Sequence, residues 1–115
     1  MNIVTRSQPT AALDDAWWGE NYEGADIGSE VSVILEYTDP PGDGPRLHRH
    51  PYSETFVIRH GRARFTVAEQ VFEAHGGQLL VVPANTPHRF EVLPGGPFVS
   101  TNIHANPRFI TDWLE

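Results

Sequence analysis

The chain has 115 residues, no cysteine and a formal net charge of −7 at pH 7. This length suits one domain, and the negative charge argues against general affinity for nucleic acids or anionic membrane surfaces. Without cysteine there is no disulfide framework and no thiolate ligand or nucleophile. No apolar run reaches the length of a membrane span and the start lacks a signal-peptide pattern, so we expect a soluble cytoplasmic protein.

Residues 1–30 are predicted to form an N-terminal arm and loop. Trp17 and Trp18 follow an acidic pair. Adjacent large aromatic side chains at this place are expected to cover the folded domain or to pack across a subunit interface. Gly24 and Gly28 indicate a loop before the first clear strand.

Residues 31–104 have the pattern of short strands joined by turns. Ten glycines and ten prolines are spread along the chain, as is typical of many strands with tight turns. Predicted strands cover residues 31–38, 62–67, 71–74, 79–82 and 98–104, and the first has an apolar face of Val31, Val33, Leu35 and Tyr37. The loop at residues 39–45 is rich in proline and glycine, and we expect it to frame the mouth of a pocket.

The first candidate metal ligands follow this loop. His48 and His50 are two residues apart, so on a strand both imidazoles project from the same face, and Glu54 keeps that parity. Two imidazoles and one carboxylate favour a divalent transition metal over calcium or magnesium, which prefer oxygen ligands. Three ligands on one predicted strand form an incomplete site.

A fourth candidate ligand lies beyond the apolar strand at residues 79–82. A turn over residues 83–87 would send the chain back as a neighbouring strand, on which His88, Phe90 and Val92 share one face. If that face lies opposite His48, the site contains three histidines and one glutamate.

Several further side chains are candidates for a pocket wall. Those sharing the parity of the ligands are Phe56, Ile58, Phe65, Phe90 and Val92. Such a wall favours a small, partly apolar or aromatic substrate. Arg46 either points inward to hold a substrate carboxylate or extends into solvent, and His104 could be a base that faces the substrate or supports the ligands. His60 and His75 sit beside glycines in turns, and we expect both to be exposed and unrelated to the metal.

The C-terminal segment, residues 105–115, is predicted to contain a short amphipathic helix. Its apolar residues are Phe109, Ile110, Trp113 and Leu114. Their spacing is typical of a helix that lies with one face against the domain.

The candidate ligands resemble the two motifs of the cupin family. The first cupin motif runs Gly, five residues, His-x-His, three or four residues, Glu, six residues, Gly. Gly42, His48, His50, Glu54 and Gly61 match every position of it. The resemblance implies an all-β fold, a small antiparallel β-barrel or jelly roll, with a metal inside the wider end of the barrel.

The second cupin motif is matched less completely. It runs Gly, five residues, Pro-x-Gly, two residues, His, three residues, Asn. Gly77, Pro83 and His88 match, whereas Asn85 replaces the glycine and Val92 replaces the asparagine. Asparagine tolerates positive φ, and the position of Val92 is not a metal ligand in the family, so the implied ligand set is unchanged. Together the two motifs imply one cupin domain over residues 1–115, with its barrel at residues 31–104.

The resemblance leaves three classes of function open. The leading one is a metal-dependent, dioxygenase-type oxidoreductase acting on a small organic substrate, because cupins with this ligand set include many dioxygenases. The second is a non-redox isomerase, lyase or decarboxylase, and the third is a non-catalytic, metal-dependent small-molecule sensor. Each requires one divalent ion per chain, which could be iron, manganese, nickel, copper or zinc.

Glu54 is the candidate catalytic residue. A carboxylate bound to a metal through one oxygen can accept a substrate proton with the other, which an imidazole ligand cannot do. A homodimer is also predicted, because a barrel this short has exposed sheet edges and cupins commonly dimerise through N-terminal segments.

Overall fold

In the part of the chain that the structure describes, two five-stranded antiparallel sheets pack with the core between them. The computed structural model describes residues 1–5 and 19–115, so Trp17 and Trp18 lie outside the described residues. The described residues contain α1 (Gly24–Ile27) and strands β1 (Glu20–Tyr22), β2 (Ser32–Thr38), β3 (His48–Arg49), β4 (Glu54–His60), β5 (Arg62–Val67), β6 (Gln70–His75), β7 (Leu79–Val82), β8 (His88–Val92), β9 (Phe98–His104) and β10 (Asp112–Trp113). The predicted all-β, antiparallel fold is confirmed.

The order of strands brings distant parts of the chain together. One sheet has the order β1-β2-β9-β4-β7 and the other the order β10-β3-β8-β5-β6. The last long strand, β9, therefore lies between β2 and β4 at the centre of the first sheet. Among the described residues, no helix is long enough or apolar enough to span a membrane.

An aromatic cluster fills part of the space between the sheets. Alternation along β4 and β8 buries every second residue, as expected of strands with one face toward a core. Phe65 is fully buried, and its ring centroid lies 5.1 Å from those of Phe56 and Phe90 and 6.3 Å from that of Phe98. Burial of one such ring stabilises the fold by about 1.5–3 kcal/mol relative to exposure, so this cluster anchors the two sheets to each other.

The predicted C-terminal helix is wrong, because residues 112–113 form a strand instead. β10 pairs with β3, with Trp113 opposite His48, and the Leu114 N–H donates to the Leu47 carbonyl over 3.0 Å. A segment this short cannot form a stable helix on its own, since nucleation is unfavourable. The exposed edge of β3 offers backbone partners, so the segment extends that sheet.

The loop before β3 lines the cavity beside the candidate ligands, in agreement with the prediction from its composition. The Gly42 N–H donates to the Val92 carbonyl over 2.7 Å, and the Val92 N–H donates to the Asp43 carbonyl over 2.8 Å. In the turn before β8, Asn85 has φ 60°, the left-handed conformation that asparagine tolerates. The substitution of asparagine for glycine in the second motif therefore leaves the turn intact.

Candidate metal centre

The four predicted ligands come from both sheets. His48 in β3 and His88 in β8 are directly opposite each other, whereas His50 lies just beyond β3 and Glu54 begins β4 in the other sheet. The expectation that His48, His50 and Glu54 share one strand is wrong. Pro51 has no backbone N–H and falls in a bend that carries the chain from one sheet to the other.

The ligand atoms of these residues converge at one point. One imidazole nitrogen from each histidine and one carboxylate oxygen of Glu54 lie within 4.8 Å of one another, and every one of the four residues is buried. Glu54 Oε1 is 3.1 Å from His50 Nε2 and 3.3 Å from His88 Nε2. Ligands bonded to one ion at about 2.1 Å are separated by roughly 3–3.5 Å. The cluster therefore fits a single divalent metal ion.

Backbone carbonyl groups fix the orientation of the three imidazole rings. A carbonyl oxygen can only accept a hydrogen bond, so each Nδ1 must carry the hydrogen, and the neutral ring keeps its lone pair on Nε2. The acceptors for His48, His50 and His88 are, in that order, the carbonyl oxygens of Arg46, Ile110 and Thr86, at 2.6, 2.9 and 2.9 Å. The buried Nε2 atoms of His50 and of His104 in β9 have no well-aligned hydrogen-bond partner among the described residues, so both face a site that the protein atoms do not satisfy.

The environment of the cluster favours the protonation states that metal ligands need. Burial raises the pKa of Glu54, but hydrogen bonds from His104, His50 and His88 outweigh it and hold this pKa far below its usual range. Burial also lowers the pKa of His48 to about 4, helped by repulsion from His88 and His50. A carboxylate and a neutral imidazole are therefore present at neutral pH.

His50 behaves differently from His48 in the metal-free protein. Burial lowers its pKa, but the hydrogen bonds to Glu54 and to the Ile110 carbonyl outweigh burial and raise it. Protons therefore compete with a metal ion for His50 Nε2 more strongly than for His48 Nε2.

A fourth histidine joins the cluster from β9. His104 lies opposite Glu54 in the β-ladder, and its Nε2 is 3.2 Å from Glu54 Oε2. Its Nδ1 is 2.6 Å from the hydroxyl oxygen of Tyr52, which also accepts the Ile110 N–H over 3.2 Å. The sequence analysis considered His104 but missed Tyr52. The available signal was the even spacing that Tyr52 shares with His50 and Glu54.

A cavity of about 670 Å³ opens beside the ligands. Of the predicted wall residues, Phe56, Phe90 and His104 line it, whereas Ile58, Phe65 and Val92 lie in the aromatic and aliphatic core behind the wall. Arg46 is exposed, and its guanidinium carbon lies 4.9 Å from the centroid of the Trp113 ring, which also lines the cavity. His60 and His75 are exposed on the outside of the barrel, as predicted.

One wall of the cavity is polar, which the sequence analysis did not anticipate. The inner face of β2 carries Ile34, Glu36 and Thr38, so the apolar face singled out from the sequence is turned away from the cavity. The Thr38 hydroxyl donates a hydrogen bond to the Glu36 carboxyl group. The Asn102 amide donates another to the same group over 3.4 Å. Burial raises the pKa of Glu36, although the Thr38 hydrogen bond partly opposes it.

Comparison with known proteins assigns the chain to a family. The chain matches the family model described as "Cupin domain" over residues 35–104, which contain all four candidate ligands, Tyr52 and His104. The chain belongs to the cupin family. The jelly-roll prediction is confirmed by the same comparison together with the two antiparallel sheets.

Two curated proteins are similar to this chain in sequence. The acireductone dioxygenase of Alcanivorax borkumensis is 34% identical over 101 residues, which cover 84% of this chain and 56% of that protein. Acireductone dioxygenase 1 of Pectobacterium atrosepticum is 42% identical over 95 residues, covering 76% of this chain and 53% of that protein. The chain therefore spans about half the length of these relatives.

Among solved structures, the oxalate decarboxylase of Bacillus subtilis has the same fold. A structure of that enzyme used to study its Mn(II) centres superposes with a TM-score of 0.73 over 82% of this chain and 27% of the other, at 22% identity. At this level of identity the similarity concerns the fold alone.

Proposed function

We propose that this cupin is a metal-dependent, dioxygenase-type oxidoreductase that acts on a small organic substrate. The observation that carries the proposal is the convergence of three imidazole nitrogens and one carboxylate oxygen within 4.8 Å, beside a cavity of about 670 Å³. Cavities of roughly 300–1,000 Å³ suit small-molecule ligands. The two similar acireductone dioxygenases support the choice of reaction class.

The proposed ligands are His48, His50, Glu54 and His88, and they bind one divalent transition-metal ion. Such an ion supplies a Lewis acid for a substrate oxygen and, when it is redox-active, a means of activating dioxygen. Three histidines and one carboxylate leave coordination positions open for substrate, as in catalytic rather than structural sites. An acireductone or a related ene-diol suits this arrangement, because its adjacent oxygens can reach one ion together.

The surrounding side chains have distinct proposed roles. Phe56 and Phe90 line the cavity beside the ligands and exclude water from the apolar part of the substrate. Glu54 is the proposed proton acceptor, since His104 takes only one of the lone pairs of Oε2. Arg46 lies on the outer side of Trp113 and is proposed to influence the cavity through that ring rather than by touching the substrate.

The first test of this proposal is metal content. Protein purified without an affinity tag should contain close to one divalent ion per chain, measured by elemental analysis. His88→Ala should lose that ion, because it removes the ligand that joins β8 to the site, whereas His75→Ala should retain it, because the His75 side chain is exposed. Full metal content in His88→Ala would contradict the proposed ligand set.

The second test separates the classes of reaction. Oxygen uptake and product formation should be followed with acireductones, diketones, catechols, flavonols and small enolisable acids, with and without oxygen. Glu54→Gln should keep part of the metal and lose turnover, whereas His50→Ala should lose both together. Product formation without oxygen would indicate a non-redox isomerase, lyase or decarboxylase. Metal-dependent binding without turnover would indicate a sensor.

Two less specific features are also proposed. We expect the protein to be cytoplasmic and to form a homodimer. Exposed apolar side chains on the edge strands β6 and β7 support a dimer, namely Val71, Leu79 and Val81. Light scattering at tens of micromolar should give about twice the 12.8 kDa chain mass.

A further inference from the structure

We propose that His104 is not a metal ligand but a positioning residue, which donates a hydrogen bond from Nε2 to Glu54 Oε2 and is itself oriented by Tyr52. This inference rests on the metal site proposed above and adds a defined role for the fourth histidine. It divides the four clustered histidines into three that bind the ion and one that holds the carboxylate.

The hydrogen-bond partners of Tyr52 set the tautomer of His104. The Ile110 N–H donates to the Tyr52 hydroxyl oxygen over 3.2 Å, so that oxygen already acts as an acceptor there. Its own hydrogen must still be donated, and within the described part of the chain the acceptor is His104 Nδ1, 2.6 Å away. A neutral His104 that accepts at Nδ1 carries its hydrogen on Nε2.

An acceptor for the hydrogen on Nε2 lies close by, although the two groups are not well aligned for a hydrogen bond in this structure. Glu54 Oε2 is 3.2 Å from His104 Nε2. With the opposite tautomer, an imidazole lone pair would face a carboxylate lone pair in a buried site, which is unfavourable unless an ion lies between them. Within the described residues, the ligand atoms that all lie within 4.8 Å of one another belong to His48, His50, Glu54 and His88, and His104 is outside this group. His104 therefore acts as a donor toward Glu54, and a nitrogen that holds a hydrogen cannot bind a metal ion.

The other three histidines have the reverse arrangement. Their Nδ1 atoms face carbonyl oxygens, which can only accept, so their Nε2 atoms are free to bind. His50 Nδ1 also lies 3.4 Å from the Thr111 hydroxyl, but its shorter contact, at 2.9 Å, is with the Ile110 carbonyl. Only for His104 is the hydrogen-bond partner of Nδ1 a hydroxyl group and no carbonyl, and a hydroxyl group is able to donate. The chemistry of the Nδ1 partner, carbonyl or hydroxyl, thus determines which histidines are ligands.

The consequence for Glu54 is that its two oxygens have different tasks. Oε1 faces His50 and His88 at 3.1 and 3.3 Å, whereas Oε2 is held by His104. Glu54 and His104 are 4% and 3% exposed, so water does not compete well for this bond. We therefore expect Glu54 to bind the ion through Oε1 alone, and the open coordination positions stay available for substrate.

Proton NMR of the Co²⁺-loaded protein can count the histidine ligands. A histidine bound through Nε2 gives one strongly shifted, exchangeable Nδ1–H signal, which disappears in D₂O. We expect three such signals in the wild type and three in His104→Leu. Four signals in the wild type that fall to three in His104→Leu would make His104 a ligand and overturn the proposal.

Metal affinity provides a second and independent readout. Loss of an outer hydrogen-bond partner typically weakens metal binding by about 10–100-fold, so we expect this loss for His104→Leu in Co²⁺ titrations. His104→Gln should restore most of the affinity, because its amide can donate to Glu54 Oε2. Equal affinities for the wild type and His104→Leu would also overturn the proposal.

The role of Tyr52 can be tested in the same titrations. Tyr52→Phe removes only the hydroxyl group, and it should weaken Co²⁺ binding in the wild type but have little further effect in His104→Leu. If the effects of the two substitutions on Co²⁺ affinity are additive, Tyr52 does not act through His104 on Glu54, and this part of the proposal is contradicted. Failure of the metal site itself would appear separately, as Co²⁺ that stays bound stoichiometrically in His88→Ala.

Discussion

The metal-free protein should lose stability in acid because His48 resists protonation in the folded state. Burial lowers the pKa of His48 from its usual 6.5 to about 4. As pH falls below 6.5, the unfolded chain takes up a proton at this position while the folded protein does not, so unfolding becomes more favourable. The stability is fully present above pH 6.5 and is lost as pH falls toward 4.

The size of this loss follows from the same pKa values. Each pH unit between the unfolded and folded pKa corresponds to about 1.4 kcal/mol, so His48 contributes about 3 kcal/mol over the whole range from pH 6.5 to 4. The residue is only 6% exposed, so solvent screening reduces this figure little. In His48→Gln, which cannot titrate, this part of the pH dependence should be absent.

Urea unfolding of chelator-treated protein, followed by circular dichroism between pH 4 and 7.5, measures the effect. The unfolding free energy of the wild type should fall by about 3 kcal/mol more than that of His48→Gln across this range. His75→Gln serves as the control, because that side chain is exposed, and it should follow the wild type. Parallel curves for the wild type and His48→Gln would refute the reasoning.

Two further predictions concern the cavity. Burial raises the pKa of Glu36, so the folded protein holds a proton on this carboxyl group more tightly than the unfolded chain does. This difference stabilises the fold in acid, and the stabilisation is lost as pH rises above the usual carboxyl range. The unfolding free energy of Glu36→Gln should therefore exceed that of the wild type at pH 7.5 but not at pH 4. Gly44→Ala should destabilise the protein by about 1–3 kcal/mol in urea melts, because a Cβ there would overlap the Phe90 carbonyl oxygen. Gly42→Ala is the control, since its Cβ would meet nothing within 4 Å. An equal loss in both glycine variants would assign the effect to backbone conformation alone.

Local spacing in the sequence was sufficient to group three of the four candidate metal ligands. The even separation of His48, His50 and Glu54 placed them on one side of the chain, and this parity survived although the predicted strand breaks at Pro51. Spacing succeeds here because side-chain direction in extended backbone depends only on neighbouring residues. The partner His88 needed the second motif, because no local pattern determines which strands lie side by side.

The sequence was less informative where backbone partners decided the structure. The apolar residues near the end of the chain suit a helix as well as a strand, and the free edge of β3 decided in favour of β10. Likewise, the role of Tyr52 depends on Ile110 and His104, which are 58 and 52 residues away in the sequence. Such long-range contacts leave no periodic signal.

The segment from Ile110 to β10 links the metal site to the edge of a sheet. The Ile110 carbonyl accepts a hydrogen bond from His50 Nδ1, and the Ile110 N–H donates one to the Tyr52 hydroxyl oxygen. The backbone of this segment therefore holds two side chains of the site in place. Docking of the segment and binding of an ion by His50 are therefore coupled equilibria. Such coupling is reciprocal. If docking of the segment strengthens binding of the ion by a given free energy, binding of the ion strengthens docking of the segment by the same free energy. We therefore expect detachment of the outermost strand of this sheet and release of the ion to favour each other.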